Sequence, residues 1–196
     1  MPAAPAIPTP HVSDAALLER SAGGDAAALD ELFRRYRMVA YRVTFRLLGN
    51  EADALDAVQD AFVKALSNLD RFRGQSTFKT WLLRIASNAA LDMGRRRKRD
   101  GWNDRPPVSA TPESAGPDGR PPPDHGLERA ELRRQIDAAL AVLPAAQRQT
   151  FVLHVDGELT YREVADVLGI SIGTVMSRLF YARQKLQKLL ADRVLP

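Results

Sequence analysis

The stretch LTYREVADVLGISIGTVMSRLFYARQKLQKLL, Leu159 to Leu190, writes out two helices separated by a sharp turn. Thr160 and Glu163 stand at Thr-x-x-Glu spacing, which predicts a capping box: the Thr hydroxyl accepts an orphan amide of the first turn, and the Glu reaches back to the cap. Gly169 predicts the end of that helix, since glycine takes positive φ without a Cβ clash, and Ser171 suits the N-cap of the next. Val175, Leu179, Ala182, Leu186 and Leu189 or Leu190 recur every three to four residues, so one stripe of the second helix is expected to be buried. Ser171, Gly173, Thr174, Ser177 and Arg178 fall off that stripe near its N-terminus, where the recognition helix of a helix-turn-helix meets base edges and phosphates. A solvated helical hairpin is the alternative; the glycine turn, the capping box and the local charge together favour DNA. Residues 171–193 carry five Lys/Arg against one Asp, whereas 156–166 carry four acids against one Arg. The second helix, and not the first, is the one drawn toward phosphate.

Outward from this unit, composition divides the chain. Between Gly101 and Leu127 lie seven of the thirteen prolines and four glycines, with hardly any large apolar side chain. Such a segment builds no core and is expected to be a flexible linker, 101–127, between a domain at 14–100 and another at 128–196. Neither half shows a period-two strand pattern, so the expected class is all-α: two small helical domains. Residues 1–13, with four prolines and no Lys or Arg, are expected to be a disordered tail and do not make a secretory signal. No run is long enough to span a bilayer, which leads to the expectation of a cytoplasmic protein without membrane insertion. The absence of cysteine excludes disulfides and Cys-based zinc sites, and His11, His125 and His154 lack ligand spacing; neither a metal nor a cofactor is expected. The net charge of +4 is a mild bias toward polyanions until it is located.

It is concentrated from Arg71 to Arg99, where nine Lys/Arg face one Asp, and five of them form the run Arg95, Arg96, Arg97, Lys98, Arg99. A like-charge run is by itself as consistent with a solvated helix end as with nucleic acid. Before it, Leu29, Leu32, Phe33, Tyr36, Ala40, Val43 and Leu47 predict one amphipathic helix ending at Gly49-Asn50. Leu55, Val58, Phe62, Ala65 or Leu66 and Leu69 predict a second. On the latter, Asp53, Asp56 and Asp60 are expected to share one outward face with Gln59 beside it. With no His nearby and no glycine-rich phosphate loop, this face reads as a salt-bridged or partner-facing surface rather than a metal or acid/base site.

The segment from Phe72 to Trp81, FRGQSTFKTW, interleaves aromatics with cations where Gly74 and Ser76 break the helical pattern. Aromatic faces beside Arg73 and Lys79 supply what a single strand needs, stacking platforms for bases and charge for the backbone. Phe78 is expected in the core, Phe72 exposed on the loop, and Trp81 in either role. Leu82, Ile85, Ala86 and Ala89 then begin a helix carrying Arg84, Ser87, Asn88 and Asp92 into the basic run. Asn88 has both donor and acceptor, which suits a local cap or a base edge.

In these blocks the chain resembles regions 2 and 4 of the extracytoplasmic-function (ECF) group of sigma factors, the promoter-recognition subunits of bacterial RNA polymerase. The resemblance rests on DALDAVQDAF at 53–62, DRFRGQSTFKTWLLRIASNAALD at 70–92, LPAAQRQTFVLHVDGELTYREVADVLGIS at 143–171 and GTVMSRLFYARQKL at 173–186. The linker is too short and proline-rich for the region 3 domain of larger sigma factors. The resemblance implies a non-enzymatic, stress-responsive transcription initiation factor. It implies that Asp53, Asp56, Gln59 and Asp60 dock the β′ clamp helices of core RNA polymerase, with the β flap as a second contact. It implies that the loop at Phe72 and Arg73, with Lys79, Trp81 and Arg84, captures a flipped base of the −10 non-template strand, that Asn88 reads a neighbouring base, and that Arg95, Arg96 and Arg97 hold phosphates. It implies further that Ser171, Gly173, Thr174, Ser177, Arg178 and Tyr181 meet the −35 duplex, and that an anti-sigma factor is a partner. Met176 and Tyr181 depart from the Arg or Lys often found there. A freestanding helix-turn-helix repressor would bind duplex alone as a symmetric dimer and has no use for the aromatic loop; a nuclease would need metal ligands that the sequence does not assemble.

Overall fold

The computed structural model describes residues 12–72, 74–99 and 126–194. The expectations for residues 1–11, for Arg73 and for linker residues 101–125 lie outside the described residues. The described residues form helices and contain no strand: α1 Asp14–Ala22, α2 Ala26–Leu48, α3 Glu51–Ser67, a 3-10 turn at Leu69–Arg71, α4 Phe78–Arg99, α5 Gly126–Ala141, α6 Ala145–Val155, α7 Tyr161–Leu168 and α8 Ile172–Val194. Two compact units divide at Tyr36/Arg37.

In the first unit the Ser13 hydroxyl accepts the Ala16 amide at 3.2 Å and so starts α1, a helix whose two large apolar residues, Leu17 and Leu18, gave too short a pattern to predict. Arg35 pairs with Asp14 at 3.0 Å and with Glu31 at 2.8 Å, and the Tyr36 hydroxyl donates to Asp14.

In the second unit, α2 stops as expected at Gly49, with φ 69°, and Asn50 caps α3 by accepting the Asp53 amide at 3.2 Å. The Thr44 hydroxyl donates to the Ala54 carbonyl at 3.2 Å and ties α2 to α3. Of the expected α3 stripe, Val58, Phe62 and Ala65 are buried, and Leu55 is the residue that departs. Ala54, Ala57, Val58, Ala61, Phe62 and Ala65 are buried, while Leu55 is 52% exposed. The physical reason is close packing: α4 presents Ala86, Ala89 and Ala90, and α3 meets it with its small side chains, so the larger Leu55 turns out. Similarly Phe33, expected on the buried stripe of α2, is 37% exposed.

The C-terminal half closes around Ala139, Leu140 and Leu143 of α5 and its following turn, packed with Ala182 and Leu186 of α8 and flanked by Phe151 of α6. Val175, Leu179, Ala182 and Leu186 are buried as the periodicity predicts. The expected capping box is present in full on α7, and Gly169 ends it at φ 65°, ψ 38°. Ser171 accepts the Thr174 amide at 3.1 Å and starts α8. The axes of α7 and α8 diverge by 105° across this turn.

The described parts of the two expected domains touch directly, α4 against α7. The acidic segment 156–166 meets cations of α2 and α4. Arg46 pairs with Asp156 at 3.4 Å and also with Asp137, and Glu158 lies 3.4 Å from Arg42 and 3.3 Å from Lys79. No single helix among the described residues is long and apolar enough to cross a membrane.

Candidate nucleic-acid interface

The face of α8 opposite its buried stripe is open. Ser171, Gly173, Ser177 and Tyr181 are exposed, and Thr174 and Arg178 are half-buried, so the structure brings the residues expected at the −35 duplex onto one helix face. The hydroxyls there are organised rather than loose: Ser171 and Thr174 share a hydrogen bond of 2.9 Å, and the Ser177 hydroxyl donates to the Thr174 carbonyl at 3.0 Å. Interleaved with them are Ile172, Met176 and Phe180, 46%, 55% and 61% exposed, the last packed edge-on to Tyr181. Ile172 and Phe180 were missed by the sequence reading, although their i, i+4, i+8 spacing with Met176 off the core stripe was the signal for them. Exposed apolar side chains on a groove-facing helix suit thymine methyl groups.

On α4 the Thr77 hydroxyl accepts the Thr80 amide at 3.1 Å and starts the helix. Phe72 is not the free loop aromatic that was expected. It is half-buried, its ring 5.2 Å from Trp81 and 6.1 Å from Phe78, while Phe78 and Trp81 are 5.9 Å apart, making a three-ring cluster. Phe78 is buried, as expected, and Trp81 is half-buried, a position that serves core and surface together. The reason is area: each ring buries more surface against the other two than it could lying on solvent, and the cluster leaves aromatic edges at the surface. Gly74 makes the turn beside it at φ 69°, with open space around it. Arg84 and Asn88 are exposed one turn apart on α4, followed by exposed Arg95 and Arg96. The cations of the last turn, Arg96, Arg97, Lys98 and Arg99, are also favoured there by the helix dipole. Asp92 pairs with Arg95, whose hydrogen bond holds its carboxyl below the usual range.

On α3 the acidic face is smaller than expected. Asp56, Gln59 and Asp60 are exposed, but Asp53 is 6% exposed and forms an ion pair with Arg97. This corrects the expectation that Asp53 faces outward: it sits in the first turn of α3, over α4. Burial pushes its carboxyl up, Arg97 pulls it down, and Asp56 adds to the upward push. Leu55 and Val63, 52% and 56% exposed, flank Gln59 instead, giving an apolar and acidic strip that the periodicity had assigned in part to the core.

Two candidate strand contacts are engaged within the chain. Lys79 faces Glu158, and the Arg84 guanidinium donates to the Asp166 carbonyl. The Thr80 hydroxyl donates to Glu163 at 2.8 Å. Burial alone would raise the Glu163 carboxyl, but the Thr160 amide, the Thr160 and Thr80 hydroxyls and nearby Lys79 together outweigh it and hold it below its usual value. Asp156 goes the other way: burial lifts it and Arg46 offsets only part of that. Among the described residues no group of His, Asp and Glu could hold a metal ion.

The family model for Sigma-70 region 2 matches residues 32–100, and that for Sigma-70, region 4 matches residues 133–186. Curated relatives include the ECF RNA polymerase sigma factor SigW of Bacillus subtilis, 32% identical over 86% of this chain and 92% of that protein. The RNA polymerase sigma-H factor of Pseudomonas aeruginosa is 37% identical over 90% of this chain and 93% of its own. The ECF RNA polymerase sigma-E factor of Escherichia coli is 33% identical over 89% and 92%. Among solved structures, CnrH in complex with the cytosolic domain of CnrY superposes with a TM-score of 0.69 at 28% identity, covering 91% of this chain and 97% of that one. The sigma factor RpoE of Bartonella quintana, solved with the anti-sigma factor NepR, gives 0.67 at 26% identity over 83% and 96%.

Proposed function

The chain belongs to the ECF group of RNA polymerase sigma factors and directs promoter-specific transcription initiation, and on that premise we propose which of its surfaces does what. Residues 14–100 act as region 2 and residues 128–196 as region 4, with 101–127 as the connection between them. The strip of Asp56, Gln59 and Asp60 with Leu55 and Val63 docks the β′ clamp helices of core polymerase, and Asp53 contributes by fixing Arg97 and the start of α3. Region 4 also meets the β flap. The aromatic cluster of Phe72, Phe78 and Trp81 offers its open edge to an extruded base of the −10 non-template strand, Asn88 hydrogen-bonds a neighbouring base, and Arg73, Lys79, Arg84, Arg95 and Arg96 neutralise backbone phosphates, whereas Arg97 stays with Asp53. Trapping an unstacked base favours melted DNA without ATP hydrolysis, because pocket contacts replace the stacking lost from the duplex. Ser171, Gly173, Thr174, Ser177, Arg178 and Tyr181 meet the −35 major groove, with Met176 supplying an apolar contact where a cation is often found.

The observation that supports this reading most directly is one chain carrying both an exposed Arg84/Asn88 face beside an aromatic cluster and a capped helix-turn-helix with a hydroxyl-lined face. The first suits a single strand, the second a duplex, and initiation requires both at once. By likeness to the RpoE relative solved with the anti-sigma factor NepR, an anti-sigma factor is a partner, and the site of action is the cytoplasm, where polymerase works. The test is reconstitution with purified core polymerase and run-off transcription on a promoter library. Recovery of a bipartite motif, with a duplex −35 element and a melted −10 element, supports the assignment; a chain that binds a palindromic duplex alone and adds nothing to core polymerase overturns it.

A further inference from the structure

On the open face of α8 the side chains fall into two neighbouring rows of i, i+4 spacing. Ile172, Met176 and Phe180 make an apolar row, all three exposed, and beside it Gly173, Ser177 and Tyr181 make a hydroxyl row headed by a glycine. Three large apolar side chains in register on one face mark a contact surface rather than the scatter of single exposed residues that any protein shows. Gly173 has no role in the fold that calls for a glycine. It lies in the first turn of α8 without a positive φ, where glycine weakens a helix relative to alanine. Among the described residues a Cβ there would meet only the Ser171 hydroxyl oxygen, at 3.8 Å. Neither a left-handed turn nor close packing within the chain accounts for it. Its missing side chain leaves a notch in the surface, bordered one turn on by Met176 and Ser177 and two turns on by Phe180, whose ring is braced edge-on against Tyr181 with centroids 5.4 Å apart.

We propose that this notch takes the C5-methyl group of a pyrimidine in the −35 major groove, and that region 4 reads the methyl itself, on thymine and on 5-methylcytosine alike. The inference rests on the reading of α8 as the −35 helix and gives that site its ligand chemistry. From Ser171 to Tyr181 the one charged side chain is Arg178, so a bidentate hydrogen bond from a cation to guanine is available at a single position, whereas apolar contact is available along the whole row. The C5 methyl is the apolar feature of the major-groove floor, and it is the partner that such a row fits. Met176, unbranched and polarizable, adapts to a methyl group, and the braced Phe180 ring gives a fixed wall. The glycine lets the base edge approach the helix backbone closely. Thymine and 5-methylcytosine carry their methyl on the same ring carbon, so methylation of a cytosine that faces the notch strengthens binding rather than blocking it.

The experiment uses holoenzyme reconstituted from the full chain and core polymerase, with duplexes carrying the −35 element recovered from the promoter library. Each thymine in turn is replaced by deoxyuridine, which keeps the base pair and removes only the methyl. Separately, each T·A pair is changed to C·G and then to 5-methylcytosine·G. At one or more positions deoxyuridine should weaken binding about two- to fivefold, the worth of one buried methyl, and 5-methylcytosine should bind more tightly than cytosine by a similar factor. Met176→Ala should shrink both ratios. Gly173→Ala carries the decisive contrast. Alanine suits the helix better, so Tm should hold or rise, while the filled notch lowers duplex binding about two- to tenfold and brings both methyl ratios to unity. A glycine present only for the fold predicts the reverse, a lower Tm with the methyl ratios intact. A holoenzyme that depends on the −35 sequence yet binds deoxyuridine and thymine duplexes alike at every position overturns the inference, and so does a folded Gly173→Ala variant with wild-type methyl ratios. Failure of the −35 reading itself is distinguishable, since binding would then survive scrambling of the whole element, and it takes this inference with it.

Discussion

Glu163 carries two structures at once, and its removal gives a sharp test of the reasoning. Its Oε2 accepts the Thr160 amide at 2.9 Å and the Thr160 hydroxyl at 2.7 Å, its own amide donates to Thr160 at 3.3 Å, and its Oε1 accepts the Thr80 hydroxyl at 2.8 Å. Glu163→Ala removes the reciprocal half of the capping box, a loss of about 0.5–2 kcal/mol by analogy with other caps. The Thr80 bond adds little more, because Thr80 keeps its 2.8 Å contact with Thr77. A total of about 1–2 kcal/mol corresponds to a fall in Tm of roughly 2–8 °C for a chain of this size. The pH dependence carries the sign. The Glu163 carboxyl is held below its ordinary value in the fold, so its contribution is complete above the ordinary glutamate pKa and is lost as pH falls through the folded one. The gap between wild type and variant should therefore narrow in acid. Thermal unfolding by circular dichroism from neutral to mildly acidic pH measures it. A variant that melts with wild type at neutral pH, or a gap that stays constant through the carboxylate range, would refute the role given to Glu163.

Other surfaces have equally direct expectations. Leu179→Ala should cost about 2–5 kcal/mol, because Leu179 is fully buried, and the chemical denaturation midpoint reads it. Leu55→Asp and Asp56→Lys should each weaken assembly with core polymerase by about 1–2 kcal/mol in a competition assay while leaving the helical spectrum intact, since both side chains are exposed on α3. Arg178→Ala should cost about 1–3 kcal/mol of −35 duplex binding; loss of preference at one base pair marks a base contact, and a uniform loss with a shallower salt slope marks a phosphate contact. Phe72→Ala should lose about 1–3 kcal/mol of −10 strand binding by the holoenzyme, whereas Asn88→Ala should blur preference at a single base with little general loss, both read by fluorescence anisotropy on strands varied one base at a time.

The fold was legible where local chemistry decides it. Thr160, Glu163, Gly169 and Ser171 each have one favourable backbone role, and Val175, Leu179, Ala182 and Leu186 have a period that only a helix satisfies, so the helix-turn-helix followed from sequence to the residue. On α3, Val58, Phe62 and Ala65 are buried as the period predicts, but Ala54, Ala57 and Ala61 were overlooked and Leu55 misplaced because alanine carries almost no hydrophobic signal. Its burial depends on how closely α4 approaches, and that distance is a tertiary property written on the other helix. The α1 helix was missed for the opposite reason, as its start rests on a single Ser13 hydroxyl and its apolar pattern is two residues long.

Charge was legible as composition and not as pairing. The acids of 156–166 and the cations of 71–99 were both visible, the cations read against phosphate and the acids only as a contrast to the basic second helix. In the folded chain Glu158 takes Lys79 across the two sets, while Asp156 takes Arg46 of α2 and Arg97 turns to Asp53 of α3. A side chain can satisfy an internal acid and an external phosphate only in turn, so the same residues that make α4 attractive to DNA also make it attractive to α7. Asn88, Arg95 and Arg96 on α4 and Ser171, Ser177 and Tyr181 on α8 stay exposed beside that pairing, and each is proposed to meet DNA. Lys79 and Arg84 are engaged within the chain instead, and would reach an external phosphate only by giving up Glu158 and the Asp166 carbonyl.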